Sequence, residues 1–137
     1  MTGRAASAAG KVASPWRAWL AWGALLAWMG LIFYLSHQPD LPQLPGGFWD
    51  TVFKKSSHAA AYAILMGLWW QALITVRPAR PATLAAALAL TLVYAASDEW
   101  HQTFIPGRHG QLADVLVDLS GGLAALIILR RWRLKRD

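Results

Sequence analysis

Residues 97–118 read Ser97-Asp98-Glu99-Trp100-His101-Gln102-Thr103-Phe104-Ile105-Pro106-Gly107-Arg108-His109-Gly110-Gln111-Leu112-Ala113-Asp114-Val115-Leu116-Val117-Asp118. The stretch holds four of the chain's seven acidic residues, two of its four histidines and one arginine. Apolar runs flank it on both sides, residues 81–97 before and 119–129 after. Pro106-Gly107 suits the central positions of a type II turn, so the runs read as two helices joined at a polar knot. The third and fourth helices of the chain are expected over residues 82–100 and 111–129.

Two more helices lie upstream. Residues 18–35 are 18 consecutive apolar residues, about 27 Å of helix at 1.5 Å per residue, near the thickness of the hydrocarbon layer. The run is longer than a signal-peptide core and no A-x-A cleavage site follows, so it reads as a spanning helix. Trp16 and Trp19 stand where an interfacial belt is expected. Residues 36–57 include Pro39, Pro42, Pro45, Gly46 and Gly47 and read as a loop with a short surface helix over 48–53. The second helix is expected over 56–76, ending at Arg77-Pro78-Ala79-Arg80-Pro81. The fold class is therefore all-α integral membrane, a small bundle of four transmembrane helices. Residues 1–15 read as a cytoplasmic tail, 16–131 as the helical domain and 132–137 as a basic tail.

Composition agrees. The chain has 137 residues, 56% hydrophobic and 15% charged, with nine tryptophans, far from an average soluble domain. Its net charge of +6 does not indicate nucleic acid, because the basic residues sit between and beyond apolar runs and no binding motif is visible. Without cysteine it has no disulfide framework or thiolate chemistry. With the N-terminus inside, ten of the 13 Lys and Arg residues fall on the cytoplasmic side and only Lys54, Lys55 and Arg108 on the other. Both termini are thus expected in the cytoplasm of a multi-pass plasma-membrane protein. All four histidines and six of the seven acids then lie toward the outer face.

The knot extends onto helix faces. Thr91, Tyr94, Asp98 and His101 share one face of the third helix, with Glu99 and Gln102 beside it. Asp114 and Asp118 stack on the fourth, Asp118 about 10 Å into the bilayer. His58, Tyr62 and Trp69 form a stripe on the second, with Lys55 one turn before His58. Ionisable residues at such depth face a bundle interior or cavity. Asp98 and Glu99 sit at a helix C-terminus, and Lys54 and Lys55 at an expected N-terminus, against the helix dipole. A pair between Lys55 and Asp98 or Glu99 would offset that. The expected polar pocket comprises Lys55, His58, Asp98, Glu99, His101, Gln102, Arg108, Asp114 and Asp118.

Blander readings stand beside this one. The same charges can simply tie helix ends together. Tyr62 and Trp69 read as packing or lipid contacts, His37 and His109 as solvated loop residues, and Gly121 with Ala125 as a close helix contact. Asp98 and His101, with Glu99, Asp114 and His58, have zinc-ligand chemistry. No HExxH-like spacing supports a metal, however, and none is expected, nor any cofactor. Carboxylates beside a histidine suit acid–base work, but no serine or threonine with an attendant base stands out.

Lys55-Ser56-Ser57-His58 with Tyr62, then Tyr94 to Gln102, then Phe104-Ile105-Pro106-Gly107-Arg108 through Asp114 and Asp118, resemble the VanZ-like family of small bacterial membrane proteins. The resemblance covers about residues 35–122. In one departure, Lys54 stands where relatives usually carry an acid. The family takes its name from an accessory protein of glycopeptide-resistance clusters that lowers susceptibility to teicoplanin, a lipid-tailed glycopeptide. The resemblance implies a role at the cell envelope, with membrane lipids and a lipid-linked envelope molecule or lipopeptide as partners and no nucleic acid. The alternative is an intramembrane hydrolase or transferase acting on lipid-linked substrates through carboxylate/histidine acid–base or metal chemistry. Proton-coupled transport is disfavoured by the apolar inner halves of the helices. The sequence leaves open whether any reaction occurs.

Overall fold

The computed structural model describes residues 14–39, 47–108 and 110–134. They form four helices: α1 Pro15–Ser36, α2 Gly47–Leu73, α3 Pro81–Gln102 and α4 Leu112–Leu134, with no strand among the described residues. Of the expected 1–15 tail, residues 1–13 lie outside the described residues, as do 40–46 of the expected loop, His109 and 135–137. Pro15 and Pro81 each open a helix, where a fixed φ and a missing N–H do no harm.

Two boundaries depart from expectation: α4 runs on to Leu134, through the first residues of the expected 132–137 tail, and α2 begins early. The second helix starts at Gly47 and runs 27 residues without a break, so residues 48–53 are its first turns rather than a separate surface helix. Asp50 lies in its first turn, where a carboxylate favours helix formation. Thr51 and Ser57 donate their hydroxyls to carbonyls one turn back, Gly47 and Phe53, so these polar residues stay compatible with the helix. Lys54 and Lys55 therefore sit two turns inside it and do not oppose its dipole. Lys54 pairs with Asp50 at 2.7 Å, four residues earlier on the same helix. Asp50 thus gives Lys54 a carboxylate partner one turn earlier on the same helix.

α2 is the central helix and packs against each of the other three, while α1 and α4 do not meet among the described residues. Leu25, Ile32, Tyr62, Leu65, Ala72 and Ala95 form one core cluster, and Met66, Trp70, Leu73, Leu84 and Ala87 a second. Indole donors tie α1 to α2. Trp28 donates to the Ala61 carbonyl at 3.0 Å and Trp22 to the Thr75 hydroxyl region at 3.3 Å. Trp22 also meets Trp69 edge to face. Trp69 accordingly belongs to packing, as expected.

Pro15–Ser36, Pro81–Gln102 and Leu112–Trp132 are long and apolar enough to cross a membrane. Large apolar side chains such as Trp19 (79% exposed), Val93 and Leu116 stand on their outer surfaces, a pattern suited to lipid and costly in water. α2 is longer but carries Asp50, Lys54, Lys55 and His58. Its buried residues, Tyr62, Leu65, Met66, Trp70, Ala72 and Leu73, all lie in its second half.

The close approach of α2 and α4 rests on Gly121. A Cβ added there would fall on the backbone of Ala59, so the small residue is a steric requirement. Gly67 faces open space. Gly121→Ala should therefore lower stability by about 2–4 kcal/mol. Gly67→Ala should be neutral or gain up to about 1 kcal/mol. Thermal unfolding of the two variants in mild detergent compares them directly; equal stability would contradict the packing described.

Candidate functional site

The polar residues gather at one end of the bundle, where α1 ends, α2 passes and the α3–α4 turn closes over. Asp98 lies at its centre, 4% exposed. Its Oδ2 accepts from Ser36 Oγ of α1 at 2.8 Å, from Tyr62 OH of α2 at 3.2 Å and from Gln102 Nε2 of its own helix at 3.2 Å. Its Oδ1 is buried without a hydrogen-bond partner. Tyr94, one turn earlier on α3, donates to the Met29 carbonyl at 2.7 Å and fixes α3 against α1.

The turn after α3 is built by two glycines. Gly107 has φ +78° and Arg108 N–H donates to the Ile105 carbonyl at 3.1 Å, the type II geometry expected of Pro106-Gly107. At Gly110 a Cβ would collide with the Glu99 carbonyl. The bare backbone thus lets the loop press on α3, and Gln111 N–H reaches Glu99 Oε2 at 3.1 Å. Gln111 immediately precedes α4. Glu99 sits at the end of α3 and simultaneously at the N-terminus of α4, where a carboxylate is favoured. That resolves its unfavourable position as read from α3 alone.

Arg108 turns back from this loop. Nε donates to the Gln38 carbonyl at 2.9 Å, one terminal nitrogen to the Leu35 carbonyl at 3.0 Å and the other to Gln102 Oε1 at 3.2 Å. The cation thereby holds the carbonyl end of α1, where positive charge is favoured. Burial lowers its pKa from the ordinary value, and Asp98 and Glu99 act against that; a guanidinium stays charged regardless. Gln102 is the hub between charges, giving its amide hydrogens to Asp98 and Glu99 and accepting from Arg108.

A second group lies on the α4 side. Asp118 is fully buried, and its Oδ1 lies 3.1 Å from His58 Nδ1. Its Oδ2 has no hydrogen-bond partner. His58, Glu99 and Asp118 each offer an atom within 4.8 Å of the others'.

The remaining expected residues separate from these groups. Lys55 pairs with Asp114 at 3.1 Å rather than with Asp98 or Glu99, a correction that follows from the earlier start of α2. The pair is largely exposed and worth at most about 1 kcal/mol. His101 does not join Asp98 as a ligand pair. It shares a 3.2 Å hydrogen bond with His37 and stacks on Phe33, so His37 is partnered rather than simply solvated. Ser36 and Tyr62 were not expected in the site, although a lone serine closing an apolar run and a tyrosine one turn after His58 were the available signals.

A cavity of about 140 Å³ opens among these elements, lined by Ser36, Ser57, His58, Tyr62, Asp98 and Arg108 on its polar side. Ile32, Leu35 and Ala61 form the apolar side. It brings polar groups of three helices and of the α3–α4 turn to one space, whereas Glu99, His101, Asp114 and Asp118 do not line it.

Three hydrogen bonds leave from one planar cation, so Arg108→Lys should not substitute for it. Both Arg108→Lys and Arg108→Ala should lose about 2–4 kcal/mol of stability, read by unfolding in detergent. Full stability of the lysine variant would show that the guanidinium contacts do not hold α1 to the turn.

No curated protein and no solved structure matches the chain. A family model described as VanZ/LLP1 matches residues 21–133, a span that takes in nearly all of the four helices, both polar groups and the cavity between them. The chain belongs to the VanZ/LLP1 family.

Proposed function

We propose that this protein is an envelope protein of the plasma membrane, with both termini in the cytoplasm, and that its cavity recognises the polar end of a lipopeptide, glycopeptide or lipid-linked envelope molecule. The sequence count that puts ten of the 13 Lys and Arg residues on the cytoplasmic side when the N-terminus is inside supports an outward-facing site. The observation that carries the reading is Asp98, a buried carboxylate among the residues lining a largely apolar cavity, one of whose oxygens has no donor. Leaving such an oxygen unpaired is costly, and an amine, amide or hydroxyl of a bound amphiphile would satisfy it. Ile32, Leu35 and Ala61 would meet the apolar part of the same molecule. Arg108 would contribute mainly by holding the cavity's shape, because its contacts go to backbone carbonyls and Gln102.

His58 supports a second reading, an intramembrane hydrolase or transferase. It lines the cavity while Asp118 orients its ring, an arrangement suited to a general base. In that reading, His58 takes a proton from a water or hydroxyl of a lipid-linked substrate held in the cavity.

The test uses full-length wild type and Asp98→Asn at equal membrane abundance in a teicoplanin-susceptible Gram-positive host. Wild type should raise the inhibitory concentration of teicoplanin severalfold, and Asp98→Asn should abolish most of the gain. A fluorescent lipoglycopeptide should also bind purified wild type in nanodiscs more tightly than the variant. Equal protection and equal binding by Asp98→Asn would remove Asp98 from recognition. Loss of protection with His58→Ala but unchanged binding would favour the catalytic reading.

A further inference from the structure

His58, Glu99 and Asp118 come from α2, α3 and α4, and their ligand atoms converge to within 4.8 Å of one another. Bonds of about 2.0–2.2 Å from zinc to nitrogen or oxygen place donors about 3–4 Å apart, a spacing the set approaches. The convergence is independent of sequence spacing; it depends on Gly121 letting α4 reach the backbone of α2 and on Gly110 letting the loop reach α3.

Two further observations point to a cation. Asp118 is 0% exposed and its Oδ2 has no hydrogen-bond partner, although the carboxylate stands within the set. The local charges are also unbalanced. Lys55 is engaged by Asp114 and Lys54 by Asp50, while Arg108 turns to Leu35, Gln38 and Gln102. Among the described residues no lysine or arginine pairs with Glu99 or Asp118. Two carboxylates within an apolar bundle need compensation that a single imidazole does not complete.

We infer that His58, Glu99 and Asp118 form a binding site for a divalent metal ion, with Zn²⁺ the ion best matched to one imidazole and two carboxylates. Zinc accepts nitrogen and carboxylate oxygen together, whereas magnesium and calcium favour oxygen alone. Three protein donors leave a coordination position for water or a further ligand. The bond from Gln111 N–H to Glu99 Oε2 orients one carboxylate, as outer hydrogen bonds do for metal ligands. The inference does not rest on the recognition role of Asp98, which belongs to a different hydrogen-bonded group.

The experiment takes untagged full-length protein in mild detergent, exposes it to Zn²⁺ and removes unbound ion by gel filtration. Wild type should retain one Zn²⁺ per chain by elemental analysis. Glu99→Gln and Asp118→Asn should each weaken binding by more than about 100-fold, while His101→Ala should leave it unchanged. No Zn²⁺ retained by wild type overturns the inference, as does full retention by both carboxylate variants. Loss with His101→Ala also overturns it, since that would assign the ion to the His37–His101 pair. X-ray absorption at the zinc edge of the wild type settles the ligand set without requiring any variant to fold. One imidazole with oxygen donors supports the site, and two or more imidazoles reject it.

Discussion

Three helices meet at one oxygen. Asp98 Oδ2 receives hydrogen bonds from Ser36 on α1, Tyr62 on α2 and Gln102 on α3, in an interior where an unsatisfied carboxylate is strongly unfavourable. Lipid tails are as apolar as leucine, so apolar surface alone gives these helices little reason to prefer one rotation over another. The carboxylate supplies the missing directionality. A rotation of α1 or α2 would withdraw a donor from a buried carboxyl oxygen, so the aspartate sets the orientation of its neighbours and consequently the shape of the cavity beside it.

The second constraint is the turn between α3 and α4. Gly107 reverses the chain and Gly110 allows contact with the end of α3, which brings Glu99 to the start of α4. From the same turn Arg108 reaches the carbonyl end of α1. Acid at an N-terminus and base at a C-terminus are both arrangements that a helix dipole favours, and here both are made between helices rather than within one. The loop therefore acts as a connector for α1, α3 and α4, while α2 supplies His58 and Tyr62 from the middle of the bundle.

Much of the fold was legible because a bilayer imposes length and apolarity on spanning segments. Four helices and the type II turn at Pro106-Gly107 follow from that and from turn chemistry. The start of α2 was less accessible. Pro39, Pro42 and Pro45 signalled a loop, but nothing in the flanking residues showed that helix would resume as early as Gly47. Lys55 consequently lies inside α2, and its partner is Asp114. In the site, the charged residues were conspicuous against apolar sequence. Ser36 and Tyr62 were not, since a hydroxyl shows its importance only when a carboxylate from another helix faces it. His101 was placed with Asp98 by helical spacing, yet the spacing does not specify which neighbouring helix each side chain meets; Phe33 and His37 on and beside α1 decided that.

We propose that the cavity beside Asp98 opens to the outer face of the membrane. The chain has no cysteine, so single cysteines report access without background. Ser57 lines the cavity, and Ala82 is exposed at the start of α3, at the opposite end of that helix from the polar group. In intact cells a membrane-impermeant maleimide should label Ser57→Cys and leave Ala82→Cys unlabelled until the membrane is permeabilised. Labelling of Ala82→Cys alone from outside would invert the topology and contradict an outward-facing site.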